Sequence, residues 1–313
     1  MTTREVEHDI RIAAPAPAVY RLLAEVENWP LVFPPTIHVD RVEHSGSQER
    51  IRIWATANGE PKNWTSRREL DPEALRITFR QEVSTPPVAA MGGTWIIEPL
   101  GENESRVRLL HDYRAIDDDP HDLIWIDEAV DRNSRSELAA LKQNVEFAHA
   151  ARELTFSFED SVHIDGAAKD VYAFIDEAGL WAERLPHVAT VRLTEDTPGL
   201  QTLEMDTRAK DGSTHTTKSY RVTFPHHAIA YKQVTLPALL ALHTGRWTFQ
   251  EGADGVTATS RHTVTLNPDT ITTVLGPDAT VADARSYVHT ALSTNSLATL
   301  NHARAFAESK PRP

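Results

Sequence analysis

The chain contains itself twice, and that limits its architecture more than any other feature. Val19-Tyr20 returns as Val171-Tyr172, Trp29 as Trp181, Pro34 as Pro186 and Trp95 as Trp247, each 152 residues further on. Phe79-Arg80-Gln81 against Tyr231-Lys232-Gln233 keeps that displacement. The closing segments align at a longer one, Leu138 with Leu297, Leu141 with Leu300 and Phe147 with Phe306. Rare residues matched at one offset mark a tandem duplication. A chain of 313 residues suits two domains of ordinary size, which we place at 1–150 and 151–313.

Within the first copy, residues 6–13 read as a strand. Pro15 and Pro17 open a helix with Val19, Leu22, Leu23 and Val26 on one face, closed by Trp29-Pro30. From Ile37 to Tyr113, strand-like runs are separated by Ser45-Gly46, Asn58-Gly59, Asp71-Pro72, Pro86-Pro87 and Gly101-Glu102-Asn103. A polar loop at Asp117-Asp118-Asp119-Pro120 then leads into a long helix with Leu138, Leu141 and Val145 on one side, ending near Ala150. A run of antiparallel strands followed by one long helix places each copy in the α+β class.

The function classes narrow by exclusion. A net charge of −13 lacks the basic footprint that nucleic-acid binding needs. The absence of cysteine removes disulfides, thiolate metal sites and a thiol nucleophile. No apolar run approaches the roughly 20 residues of a membrane span, and the polar start Met1-Thr2-Thr3-Arg4-Glu5 is unlike a secretory signal. A cytoplasmic protein without nucleic-acid or membrane partners is expected. The 15 histidines show no His-Glu-x-x-His spacing, and His226-His227 would point to opposite strand faces. Asp117-Asp118-Asp119 lacks a calcium-loop pattern, and no phosphate-cradling loop appears. Neither metal nor cofactor is expected, so chemistry must rest on side chains.

One stretch offers such side chains. In a strand, Trp64, Ser66 and Arg68 share a face: an aromatic plate, a hydroxyl and a permanent cation. On a solvated face Arg68 would pair with a surface acid; lining a cavity, the trio could hold a flat, oxygen-rich molecule.

The element order, with Trp29-Pro30, Trp64-Thr65-Ser66-Arg67-Arg68 and Trp95, resembles the helix-grip fold of the START and Bet v 1-like superfamily. Within it, the duplicated chain is similar to the two-domain aromatase/cyclases of bacterial type II polyketide synthases. The resemblance implies that each copy is a curved antiparallel sheet wrapped on its long C-terminal helix around a cavity. It also implies an enzyme that closes the first ring of a poly-β-ketone, already ketoreduced and tethered to acyl carrier protein, between carbons seven and twelve, and dehydrates it to an aromatic ring. The implied partners are that carrier protein, other synthase components and the polyketide itself. The chain departs from the single-domain pattern at Thr36, where some members carry tyrosine, and at Gln81, where a second arginine is usual.

That chemistry assigns roles. Arginine is a poor base but a good partner for enolate and alkoxide oxygens, which suits Arg68; Ser66 could position a carbonyl or a water. Trp29, Trp64 and Trp95, with Gln81, would line the substrate space, although each tryptophan also fits a core. His111, on the apolar face with Val107, Leu109 and Tyr113, is a candidate acid for dehydration, and His262 sits similarly in the second copy. Either histidine also fits a satisfied core position. Arg135 and Asn295 could reach in from the closing helices, or face solvent. In the second copy a one-residue shift restores Ser219-x-Arg221, with Trp181, Gln233 and Trp247 as lining residues, while Thr216 or Thr217 stands where Trp64 would be. Which copy turns over substrate stays open. Docking of an acidic carrier protein would need a local basic patch, for which Arg67, Arg132, Arg135 and Lys142 are candidates. The reading from another class is a non-catalytic lipid or polyketide carrier on the same fold.

Overall fold

The computed structural model describes residues 3–57, 59–150, 153–208 and 214–310, with backbone alone for 147–150. Asn58 of the expected Asn58-Gly59 turn and the Phe147 side chain lie outside the described residues. The chain divides into two compact units, Met1–Ala151 and Arg152–Pro313.

In the first unit, strand β1 (Arg4–Ile12) leads through helices α1 (Ala16–Ala24) and α2 (Trp29–Val32) to β2 (Thr36–Ser45), β3 (Gln48–Ala57), β4 (Glu60–Asp71), β5 (Arg76–Gln81), β6 (Val88–Gly101) and β7 (Glu104–Ala115), and ends in α3 (Pro120–Ala150). All pairings are antiparallel, in the order β1-β7-β6-β5-β4-β3-β2. Consecutive strands β1 and β2 thus form opposite edges, and the chain between them must cross the sheet. Pro17 suits the first turn of α1, where the missing N–H costs nothing. That helix stops at Ala24, so Val26 falls in a separate turn, Val26–Asn28, rather than on the helix expected from spacing.

The second unit repeats this order as β8 (Thr155–Ile164), α4 (Ala168–Asp176), α5 (Trp181–Arg184), β9 (Val188–Thr197), β10 (Leu200–Arg208), β11 (Thr214–Phe224), β12 (Ala228–Thr235), β13 (Leu240–Gly252), β14 (Gly255–Leu266), α6 (Ile271–Leu275) and α7 (Val281–Glu308). Its sheet order, β8-β14-β13-β12-β11-β10-β9, is the same. The Thr280 hydroxyl accepts from the Asp283 N–H while that carboxylate accepts from the Thr280 N–H, which fixes where α7 starts. Each unit is the helix-grip α+β arrangement, a seven-stranded antiparallel sheet with a long closing helix.

The core lies between sheet and helix. In the first unit Val19 and Leu23 from α1, Ile77 and Trp95 from the sheet, and Leu138 and Leu141 from α3 form one buried cluster. Burying side chains of this size stabilises by roughly 1.5–3 kcal/mol each.

Candidate active site

Strand alternation puts Ser66 and Arg68 inside, both buried, and Arg67 outside. Cross-strand register then builds a row across the inner face of the first sheet: Glu49 opposite Arg68, Arg68 opposite Phe79, Phe79 opposite Gly93, and Gly93 opposite His111. Gly93 has a steric reason. A Cβ there would lie 2.6 Å from the Phe79 ring, which crosses this gap to meet His111 edge-on at a centroid distance of 5.6 Å.

Arg68 is held from three sides. Its Nη2 donates to the Leu23 carbonyl at 2.9 Å, its Nε is 3.3 Å from buried Glu49, and its guanidinium lies 5.1 Å from the centre of the Trp29 ring. Trp29 Nε1 donates to the same Leu23 carbonyl at 3.2 Å. Burial pulls Arg68 down to about 10 and Glu49 opposes that shift, so the cation persists at neutral pH. Nη1 has no hydrogen-bond partner among the described residues. Ser66 donates to the Arg80 carbonyl at 3.1 Å, which leaves its oxygen able to accept but its proton engaged. Trp64 is half-buried against Ile51 and Ile53, and Gln81 Nε2 lies 3.8 Å from Met91 Sδ. Trp95 is buried in the main core cluster.

Across the sheet, His111 Nδ1 is 3.4 Å from Ser134 Oγ of α3, and no partner among the described residues meets its Nε2. Burial pushes its pKa down to about 4, so the ring is neutral at pH 7. A neutral imidazole can take a proton at one nitrogen while donating from the other, and the same burial lowers its basicity. The sequence reading passed over Glu137. On α3 it lies three residues after buried Ser134 and four before buried Leu141, inside the apolar stripe. Its carboxyl has no hydrogen-bond partner among the described residues and is incompletely covered, yet surrounding protein raises its pKa to about 7. The signal was present in the sequence as a carboxylate inside the Leu138, Leu141, Val145 face. Nearby, Tyr113 donates to Asp127, and His8 pairs with Asp131 at 2.8 Å. Arg135 bonds Asp131 on the exposed side of the helix.

The second unit copies the row: Gln201 opposite Arg221, then Tyr231, Gly245 and His262. Arg221 donates to the Ile175 carbonyl at 2.6 Å and lies 5.4 Å from the centre of the Trp181 ring, as Arg68 does to Leu23 and Trp29. Ser219 stands opposite Gln233 as Ser66 stands opposite Gln81. Trp181 and Trp247 are buried in its core, and Asn295 accepts through its backbone carbonyl from Thr299. Thr217 is buried.

Of the proposed basic patch, Arg67 pairs with Glu82, Arg135 with Asp131 and Lys142 with Glu146, so these cations are neutralised where they stand. Among the described residues, no helix is long and apolar enough to cross a membrane.

A family model described as polyketide cyclase/dehydrase and lipid transport matches residues 3–146 and again 155–301. A granaticin polyketide synthase bifunctional cyclase/dehydratase of Streptomyces virginiae is 61% identical over 302 residues, 95% of this chain and 98% of that one. An actinorhodin polyketide synthase bifunctional cyclase/dehydratase of Streptomyces coelicolor is 47% identical, with 96% of each chain covered. The crystal structure of the di-domain ARO/CYC BexL, from the BE-7585A biosynthetic pathway, superposes with a TM-score of 0.93 at 67% identity, covering 98% of this chain and 100% of that one. Two matched halves, each with the same inner row of arginine, aromatic ring, glycine and histidine, carry one conclusion: the chain belongs to the polyketide cyclase/dehydrase and lipid transport family.

Proposed function

We propose that this chain, a polyketide cyclase/dehydratase, closes the first ring of a ketoreduced poly-β-ketone carried by acyl carrier protein, joining carbons seven and twelve, and then dehydrates it. The observation that supports this best is the pairing of proton acceptor and donor inside one apolar interior: neutral His111 with an open Nε2, and Glu137 poised near neutrality. His111 takes a proton from a methylene flanked by two carbonyls, and the enolate carbon attacks a second carbonyl of the same chain. Arg68 steadies the negative charge on oxygen, Ser66 accepts a hydrogen bond, and Trp29, Trp64 and Phe79 hold the chain folded. Glu137 protonates the departing hydroxyls: the aldol carbinol leaves as one water, and a ketone reduced within the new ring gives up its hydroxyl as a second, which makes the ring aromatic. A passive carrier has no need of an isolated carboxyl in its apolar interior.

The test is reconstitution of the synthase with carrier-bound substrate and His111→Ala, Glu137→Gln, Ser66→Ala or Arg68→Ala. Loss of the aromatised ring in favour of spontaneously cyclised shunt products is expected. Product profiles identical to wild type would refute the enzyme reading, and saturable binding of aromatic polyketides without rate change would replace it with a carrier. Isotope labelling of the product locates the new bond.

A further inference from the structure

The two interiors, built on the same row, differ in how their inward residues are covered. In the first unit the inward residues Trp29, Trp64, Phe79, Met91, His111 and Glu137 are all incompletely covered, although they face the interior. Of the residues standing at those places in the second, Trp181, Thr217, His243, His262 and Ser296 are buried, while Tyr231, at the place of Phe79, is half-buried like it.

What fills the second interior is its own polar chain. His243 takes the place of Met91, two residues before the row glycine, and Ser296 takes that of Glu137 when the closing helices are aligned on Leu138 and Leu297. His243 Nδ1 is 2.8 Å from Gln233 Oε1, and its Nε2 is 3.0 Å from His262 Nδ1. The Tyr231 hydroxyl, lying over Gly245, is also 3.0 Å from His262 Nδ1. On the other side of the ring, His262 Nε2 is 2.7 Å from Ser296 Oγ and 3.1 Å from Ser260 Oγ. The ring stacks on Phe158 at 5.0 Å between centroids. Both nitrogens of His262 are thus engaged by the protein. A substrate entering here would have to break hydrogen bonds among buried groups and leave their partners unsatisfied, at roughly 1–3 kcal/mol for each group. The first unit carries less of that cost, because His111 Nε2 and the Glu137 carboxyl have no hydrogen-bond partner among the described residues.

We infer that the first unit holds the reaction chamber, and that the second is a closed copy whose site is occupied by its own Gln233–His243–His262–Ser296 chain. The inference rests on the cyclase reading above and names which of its two interiors acts on the polyketide.

Two measurements on the full chain test it. In the reconstituted synthase, Glu137→Gln is expected to lower aromatised product by about 100-fold, the lower range for one proton-transfer group. His243→Met, which installs the first unit's residue in the second, is expected to leave product formation within about twofold of wild type. A folded His243→Met variant that loses product as severely as Glu137→Gln would overturn the assignment. Hydrogen exchange of the wild-type chain with an added bicyclic aromatic polyketide needs no variant. Protection confined to β4 through β7 and α3 is expected, and protection of β11 through β14 would overturn the inference. If neither variant alters the product, the enzyme reading fails instead, which separates the two conclusions.

Discussion

Glu49 and Arg68 face each other across β3 and β4, both buried, with the guanidinium Nε 3.3 Å from the carboxylate. The carboxylate's other oxygen accepts from Arg41 Nε at 2.8 Å. Glu49 therefore compensates a cation that the inner wall otherwise holds without solvent. Removing one member of such a pair strands the other. Glu49→Gln is expected to destabilise the first unit by about 3–5 kcal/mol, and adding Arg68→Met should recover part of that loss. Denaturant unfolding of the two single variants and the double variant checks this; additive effects would refute the coupling.

Glycine at position 93 is required by contact rather than by backbone freedom. Gly93→Ala would place a methyl 2.1 Å from the Leu110 carbonyl oxygen and 2.6 Å from the Phe79 ring. Overpacking of this kind costs about 1–3 kcal/mol, and the shifted Phe79 should disturb His111. A lower melting temperature together with reduced ring closure is expected; an unchanged rate would show that Phe79 does not position the site.

Glu137 ties stability and rate to pH in the same direction, both falling as pH rises. Its folded pKa, raised to about 7, lies above the ordinary carboxylate value of 4.5, so the folded protein binds the proton more tightly. No penalty applies below about pH 4. The penalty grows as pH rises toward 7 and is constant beyond, on the order of 3 kcal/mol. Glu137→Gln should therefore stabilise the protein at pH 8 and change little at pH 4. The dehydration role proposed for it predicts a wild-type rate that falls as pH rises through about 7, a limb that the glutamine variant lacks. Melting curves and rate profiles from pH 5 to 9 read both.

Buried histidines act on the acid side. His111 and His262 are held down to about 4 and His243 to about 3 by burial, so each contributes stability that is present above the ordinary value of 6.5 and lost as pH falls toward 4. Unfolding should become easier over that window, and His243→Met should lessen the slope.

The exposed helix pairs predict little. Arg135 with Asp131 and Lys142 with Glu146 are solvated i,i+4 pairs, whose attraction water and salt largely screen. Arg135→Ala and Lys142→Ala should leave both stability and the on-rate of carrier protein near wild type. A marked, salt-dependent loss of association would restore them as a docking patch.

Much of this was legible in the sequence for physical reasons. Strand alternation put Trp64, Ser66 and Arg68 on one face, and matched rare residues revealed the repeat. The single-residue shift that gave Ser219-x-Arg221 agrees with the register in which Arg221 stands between Gln201 and Tyr231. Periodicity gave the face of α3 through Leu138 and Leu141, but it reads apolar residues and so passed over Glu137 among them.

Tertiary structure decided what each side chain meets. The partner of Arg68 is Glu49, which precedes it by 19 positions in the chain, and pairing across adjacent strands is set by register rather than by spacing along one strand. The sequence likewise determined that two copies share arginine, glycine and histidine. That His262 meets Ser296 while His111 Nε2 has no partner among the described residues arose only when a helix from far along the chain closed over each sheet. Burial and hydrogen-bond satisfaction are properties of all surrounding atoms, and no local pattern carries them.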